Sequence, residues 1–480
     1  MNTFTSAVQN QSARTENGML ARESTASACV DLFYKIGASR GQNIIPDFVA
    51  AFVENTDKAL RIAQWSRDVR GGCGERQIFR DIMQYLERTI GINDPRFVAL
   101  LKKTSELGRW DDLFIYSQSE TKKVVYELVS NALKNGNALA AKWAHRKGRV
   151  AVELRNYMGL SPKAYRQLIV GLSKTTEQFM CKNAWSEINF AQVPSVCHAR
   201  NRKAFGRHTE KYAEYIQAVK DGEQTINAGA IFPYDVLKTL VAASAYYDPD
   251  YDDKFPLSPV EIESIIQQWN ALENFMGSGA ILPMVDVSGS MMCAINKHGN
   301  LTALDVAISL GLYCADKNQG TFNGTFLTFS GDPELVHLKG NIVEKFMQMS
   351  QSHWGMNTDL HRALDKILLV ATEGKIAQSE MPEMLLILSD MQFDQCVNFD
   401  DTAMEMITRK YNNAGYNVPK IVFWNLHHVD TVPVKFNTSG VALVSGFSPA
   451  ILKSLLSNDV EQFTPEAIMN NTVLIPRYDL

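Results

Sequence analysis

Apolar positions recur every three to four residues through the first half of the chain. In STASACVDLFYKIGASRG, Ala28, Val30, Leu32, Phe33 and Ile36 share one broad face before Gly41. NTDKALRIAQWSRDVRGG repeats the form with Leu60, Ile62, Ala63 and Trp65, then stops at two glycines. The same period runs through RQIFRDIMQYLERTIG, RFVALLKKTSELG, TKKVVYELVSNALKNG and PYDVLKTLVAASAYY. It predicts amphipathic helices, several of them closed by a glycine cap. No alternating segment of useful length precedes residue 280, so an all-α array is expected there. Its helices follow no sharp fixed period, so a regular solenoid is not implied.

The pattern changes after YYDPDYDDKFPLSPVE (246–261), an acidic, aromatic stretch carrying three prolines. One more amphipathic helix follows, with Ile262, Ile265, Ile266, Trp269, Leu272 and Phe275 on a single stripe. Beyond Gly277-Ser278-Gly279, short continuous apolar runs alternate with helical segments. ILPMVDV, GTFLTFS, LVHL, EMLLILSD, KIVFWNL and GVALVSG are the strand candidates. Strands of this kind between helices predict a mainly parallel, doubly wound α/β sheet. The expected division is a polar segment over 1–24, a helical module over 25–245, a linker and helix over 246–277, and a sheet domain over 278–480.

Charge sharpens the division. Residues 1–240 hold 34 Lys and Arg against 24 acids, whereas 241–480 hold 14 against 28, and together they give the net charge of −4. Segregation of this size suggests a polyanionic partner for the basic half, or two domains that attract each other. No apolar run approaches the ~20 residues of a membrane span, and MNTFTSAVQNQSARTENG lacks a signal-peptide core. Seven scattered cysteines without a CxxC spacing fit reduced thiols in a cytoplasm. Cys181 and Cys197-His198 lack zinc-ligand spacing.

The first strand ends in Asp286-Val287-Ser288-Gly289-Ser290. Ligands of doubly wound sheets sit outside the carboxyl ends of the strands, where these side-chain oxygens converge. HWGMNTDLHRAL offers Thr358 just before a helix, and LLILSD ends its strand at Asp390. Asp286, Ser288, Ser290, Thr358 and Asp390 together would suit a hard cation, most simply Mg²⁺, with a position left for a partner's carboxylate. The plainer alternative is that the serines cap a loop and the aspartates take structural hydrogen bonds. Asp359 and Asp394 are read as bystanders at a helix start and in a polar loop.

DxSxS followed by a loop threonine and a strand-end aspartate resembles the metal-ion-dependent adhesion site of von Willebrand factor A domains, over roughly residues 278–470. In the first half, RDVRGGCGERQIFR, GRWDDLF, LAAKWAHRKG and INAGAIFPYDV resemble a family from bacterial viruses and plants that joins a helical-repeat module to such a domain. That architecture is similar to the Ro ribonucleoproteins with their TROVE module. The resemblance implies a multidomain protein: HEAT-like helices closing into a ring, then an α/β doubly wound, Rossmann-like A domain. It also implies binding of small structured or misfolded RNA, by residues that do not transfer one by one.

The first half can be judged as an RNA binder on its own residues. From Lys142 to Arg207 there are 13 Lys and Arg but three acids, Glu153, Glu177 and Glu187. Lys142, Arg146, Lys147 and Arg149 form one cluster; Arg200, Arg202, Lys203, Arg207 and His208 form another. Trp143, Tyr165, Trp185 and Phe205 are interleaved, although for Trp143 and Trp185 individually burial is the better explanation than stacking. Cations on helices suit phosphates, and aromatics suit unpaired bases. RGGCGER lacks a P-loop pattern and is read as a tight inter-helix turn, with Arg67, Arg70 and Arg76 free to face a groove. Asp111 and Asp112 are read as helix-start capping. No nucleophile–base pair is evident, and a hydroxyl-rich cation site activates water weakly, so the chain is not expected to be an enzyme. The leading expectation is a monomeric, cytoplasmic RNA-binding protein whose A domain holds Mg²⁺ and grips an acidic protein residue. The alternative is a metal-dependent protein adaptor without RNA.

Overall fold

The computed structural model describes residues 13–244, 256–295, 301–329, 333–350, 359–394, 402–456 and 462–480. The chain divides into two compact units. One takes residues up to Ile62, Gly71–Cys73 and Ile231–Asp479; the other takes Ala63–Arg70 and Gly74–Ala230.

All six strand candidates pair in one sheet: β1 Ile281–Asp286, β2 Thr325–Phe329, β3 Leu335–His337, β4 Met384–Ser389, β5 Lys420–Asn425 and β6 Val441–Ser445. Their order is β3-β2-β1-β4-β5-β6, parallel throughout except for β3, which lies antiparallel to β2 at the edge. Every residue of β1, β4 and β6 is buried, as expected where helices cover both faces of a parallel sheet. Strand order reverses between β1 and β4, and that switch point is where such sheets bind ligands. The helix Ala303–Lys317 follows the loop after β1, and Thr302 and Asp305 close a full capping box at its start. Gly311 lets this helix lie close on the central strand: a Cβ there would stand 2.3 Å from Val285 Cγ2.

The sheet unit recruits more of the chain than its sequence suggests, taking in helices outside the expected sheet domain of 278–480. The helix Ala28–Ile36 ends on the carboxyl tips of β5 and β6. There Ser445 Oγ donates to Phe33 O at 2.9 Å, Gly37 N donates to Ser445 Oγ at 3.0 Å, and Asn425 Nδ2 donates to Tyr34 O at 3.3 Å. Strand-end side chains thereby satisfy helix-end carbonyls that would otherwise be buried unpaired. Gly37 makes room for the junction, since a Cβ would lie 2.7 Å from Gly446 N. On the other side, Pro233–Ser244 and Pro259–Asn270 also join the sheet unit, and Trp269 Nε1 donates to Asp316 Oδ2 at 2.8 Å. The polar N-terminal segment belongs here too. Ala13–Arg14 pairs with Leu20–Ala21 in a short antiparallel ladder, and Thr15 Oγ1 donates to Phe393 O at 2.6 Å.

The second unit is helical among its described residues, running from Arg76–Thr89 through Lys211–Lys220. The buried Asp112 is the centre of a charged hub. Arg67 donates from Nε (2.9 Å) and Nη2 (2.7 Å) to Asp112 Oδ2, and Arg80 Nε donates to Asp112 Oδ1 at 2.7 Å. The backbone N–H of Arg109 adds a fourth donor at 3.0 Å. Asp112 does cap its helical turn as its position predicts, but the carboxylate also anchors two arginines.

Candidate functional site

The switch point gathers the expected oxygens. Asp286 ends β1 and Ser389 ends the adjacent β4, so parallel pairing at Val285↔Leu388 sets them side by side. Ser389 Oγ donates to Asp286 Oδ2 at 2.6 Å, and Ser288 N donates to Asp286 Oδ1 at 3.0 Å. A 3₁₀ turn over Gly289–Met292 carries Ser290, whose hydroxyl lies 3.1 Å from that of Ser288 and hydrogen-bonds Asp390. Asp390 also accepts from Gln392 N at 3.1 Å, where the chain reverses through a left-handed Met391 (φ 65°). Four of the five expected ligands thus converge. Thr358 lies outside the described residues. Asp359 caps the helix Leu360–Glu373 through Arg362 N at 2.9 Å, and Asp394 bridges to Gly18, so both carry the structural roles expected of them.

Electrostatics make this cluster unusual. Asp286 is fully buried and Asp390 is 3% exposed. Burial pushes both carboxyls above the ordinary range, and the charge of Asp390 drives Asp286 further up. Burial and the same aspartate raise the nearby Cys293 thiol to about 11. Hydroxyl and N–H donors favour ionisation of both carboxyls, and the charge of His427 favours that of Asp390, but burial outweighs them. Among the described residues no set of three or more His, Cys, Asp or Glu is placed to hold a metal, so a cation here would rest on two carboxylates and hydroxyls. That donor set fits a hard divalent ion: the charge would relieve the carboxylate repulsion, and Ser288 and Ser290 offer neutral oxygens. Sequence reasoning missed Ser389, Gln392 and the N-terminal turn. Glu16 N donates to Gln392 Oε1 at 2.7 Å and Asn17 Nδ2 donates to Gln392 O at 2.6 Å. Ser389 could have been found, because it directly precedes a strand-end aspartate; the N-terminal contact leaves no local sequence pattern.

The candidate RNA residues separate sharply. Arg67 is buried in the Asp112 hub and Arg202 is 1% exposed, so neither can contact a phosphate; both are withdrawn from the expected face. In each case the guanidinium fills the interior of the helical unit, which its neighbours' charge pattern does not reveal. Lys142 pairs with Glu177 at 2.7 Å and Arg149 with Glu153 at 2.5 Å. Arg70, Arg76, Arg146, Lys147, Arg200, Lys203, Arg207 and His208 are exposed. Burial, then the charges of Arg109 and Arg80, hold the Arg76 guanidinium below its usual value, a mark of crowded cations. The aromatics are engaged by their own unit. Tyr165 and Phe205 are buried, Trp143 lies under Arg109 at 4.1 Å, and Trp185 stacks on His208 at 4.3 Å with planes 7° apart.

The chain thus comprises a unit that is helical among its described residues and a doubly wound sheet unit with an oxygen cluster at its switch point. Residues 280–473 match a domain of unknown function (DUF7788), and residues 15–115 with 161–279 match a second domain of unknown function (DUF2828). The chain is 28% identical over 518 residues to uncharacterized protein L728 of Acanthamoeba polyphaga mimivirus, covering 95% of this chain and 86% of that one. Among solved structures, the Ro (RSR) protein of Deinococcus radiodurans aligns over 94% of this chain and 99% of its own, with 14% identity and a TM-score of 0.41. The break between the two matched domains, at 279/280, falls on the residue before β1, so the sheet's first strand opens the second of them.

Proposed function

We propose that this chain is a non-catalytic, Ro-like RNA-binding protein, with the helical unit meeting the RNA and the A-type sheet holding a divalent cation, Mg²⁺ by its chemistry. The observation that carries the reading is the exposed cationic face of the helical unit. Arg200, Lys203 and Arg207 project from Ser195–His208 without an ion-pair partner among the described residues, and Arg146 and Lys147 are equally exposed. Side chains held this way on a helical scaffold suit phosphates. The cation would be held by Asp286, Ser288, Ser290 and Asp390, and it would supply an open coordination position for a carboxylate of a protein partner. Burial and engagement of both carboxylates support gripping rather than cutting, as does the lack of a base beside a nucleophile among the described residues.

The test is crosslinking and sequencing of RNA that co-purifies with the chain, beside a variant with Arg146, Lys147, Arg200 and Lys203 reversed to Glu. Enriched RNA that disappears in the variant supports the reading. RNA-free protein refutes it, and leaves a metal-dependent protein adaptor, recognised by partner binding that EDTA abolishes.

A further inference from the structure

The helices Gly148–Tyr157 and Pro162–Leu172 enclose a groove of about 910 Å³. Five cations line it: Arg146 and Lys147 precede the first helix, Arg155 lies on it, and Lys163 and Arg166 lie on the second. No acidic residue lines it. The acids nearby are turned to other tasks, since Glu153 binds Arg149 and Tyr126 while Glu177 binds Lys142. Apart from Gln167 and the Tyr165 hydroxyl, the lining between the cations is apolar. Ala151 and Ile169 are buried, whereas Val152 and Val170 stay 42% and 46% exposed, among the most exposed large aliphatics of the molecule. Tyr165 closes the base and is fixed there by its hydroxyl, which donates to His145 O at 2.9 Å.

Cations without acids call for a polyanion, and open aliphatic surface between them calls for something flat and apolar on that polyanion. A paired helix offers phosphates but keeps its base faces stacked inside, so it leaves the valines in water. An unpaired strand offers both. We propose that this groove binds a single-stranded stretch of nucleic acid, with phosphates on Arg155, Lys163 and Arg166 and base faces against Val152 and Val170. The proposal rests on the RNA reading above and adds to it a place and a strand state. Arg155, Lys163 and Arg166 escape notice in the sequence because each stands alone among neutral neighbours; only the pairing of two helices collects them.

Fluorescence anisotropy on the full chain tests it, using a labelled 12-nucleotide single-stranded RNA, the same RNA in a duplex, and a labelled polyglutamate peptide. Two variants alter the groove, Lys163→Glu with Arg166→Glu, and Val152→Asp with Val170→Asp; Arg200→Glu with Lys203→Glu alters the face outside it. All four positions changed in the groove are exposed, and circular dichroism checks that the helices persist. The expected result is tighter binding of the single strand than of the duplex. The charge variant should weaken single-strand binding about tenfold or more and lower its salt slope by ~1–2. The valine variant should weaken the single strand about tenfold while leaving the duplex unchanged. Single-strand affinity that both groove variants leave intact, and that the Arg200/Lys203 variant abolishes, overturns the groove but keeps the RNA reading. No binding of either RNA form overturns both. Polyglutamate binding that depends on the groove, without RNA binding, overturns the proposal in favour of an acidic protein ligand.

Discussion

Two buried charged clusters, one in each unit, solve opposite problems. In the helical unit Asp112 is fully buried yet receives two guanidinium groups and a backbone N–H. At the switch point Asp286 and Asp390 are equally buried, but they stand close enough to repel, held by hydroxyls and N–H groups, with the His427 charge acting on Asp390. The first cluster balances itself and can be understood as structure. The second concentrates like charge where burial already disfavours it, and burying charge without compensation is expensive. A divalent cation would relieve that repulsion, which is what the proposed reading asks of it.

Asp112→Ala should break the comparison most visibly. It strands Arg67 in the interior, and a loss of ~3–5 kcal/mol is expected in urea denaturation. Replacing both partners, Arg67→Met with Asp112→Leu, should recover most of that loss, because no fully buried charge is stranded and the half-buried Arg80 keeps Asp111 at 3.1 Å. If the double variant is as unstable as the single, the hub is more than a neutralised pair.

Asp286→Asn should act in the opposite direction. Without divalent ions it removes the repulsion and should raise stability by ~1–3 kcal/mol at neutral pH, while abolishing any stabilisation by Mg²⁺. The unaltered protein carries the matching pH signature. A carboxyl whose native pKa lies above its unfolded value binds protons more tightly when folded, so its contribution is full in acid and is lost as pH rises through the native value. In EDTA, stability should therefore decline as pH climbs beyond the ordinary carboxylate range, and saturating Mg²⁺ should flatten that decline. A profile that Mg²⁺ does not change would remove the cation from the site. The smallest effect belongs to Ser389→Ala, which deletes one buried hydrogen bond to Asp286 and should cost ~1 kcal/mol, read as a modest drop in Tm.

The two clusters also differ in how far the sequence revealed them. Asp286, Ser288, Ser290 and Asp390 could be named in advance because each stands at a strand end, where apolar runs mark the strands and parallel topology fixes which ends meet. The six strands themselves were legible for the same reason. The Asp112 hub was not: its partners come from helices 32 and 45 residues away in the chain, and an amphipathic period says which face is buried without saying what it touches. Arg67 and Arg202 looked like surface cations because charge is usually solvated, and only their packing overrides that rule. The helices that the sheet unit recruits were hidden in the same way. Helical periodicity continues through Ala28–Ile36 unchanged, and nothing local says that its last carbonyls will seek Ser445 and Asn425.

That junction sets a schedule for making the protein. Phe33 and Ser445 are 412 residues apart, and at ~5–20 residues per second a ribosome takes roughly 20–80 s to add the second after the first. The helical unit between them draws its contacts from a continuous run and can be finished while β5 and β6 are still untranslated. Leu32, Phe33 and Ile36, all destined for the interior, can pack early on the neighbouring helix Ile45–Glu54, but the surface that meets β5 and β6 stays uncovered until those strands are made. The nascent chain therefore carries a long-lived apolar edge upstream of the helical unit, and the step that completes the sheet unit waits on its last two strands.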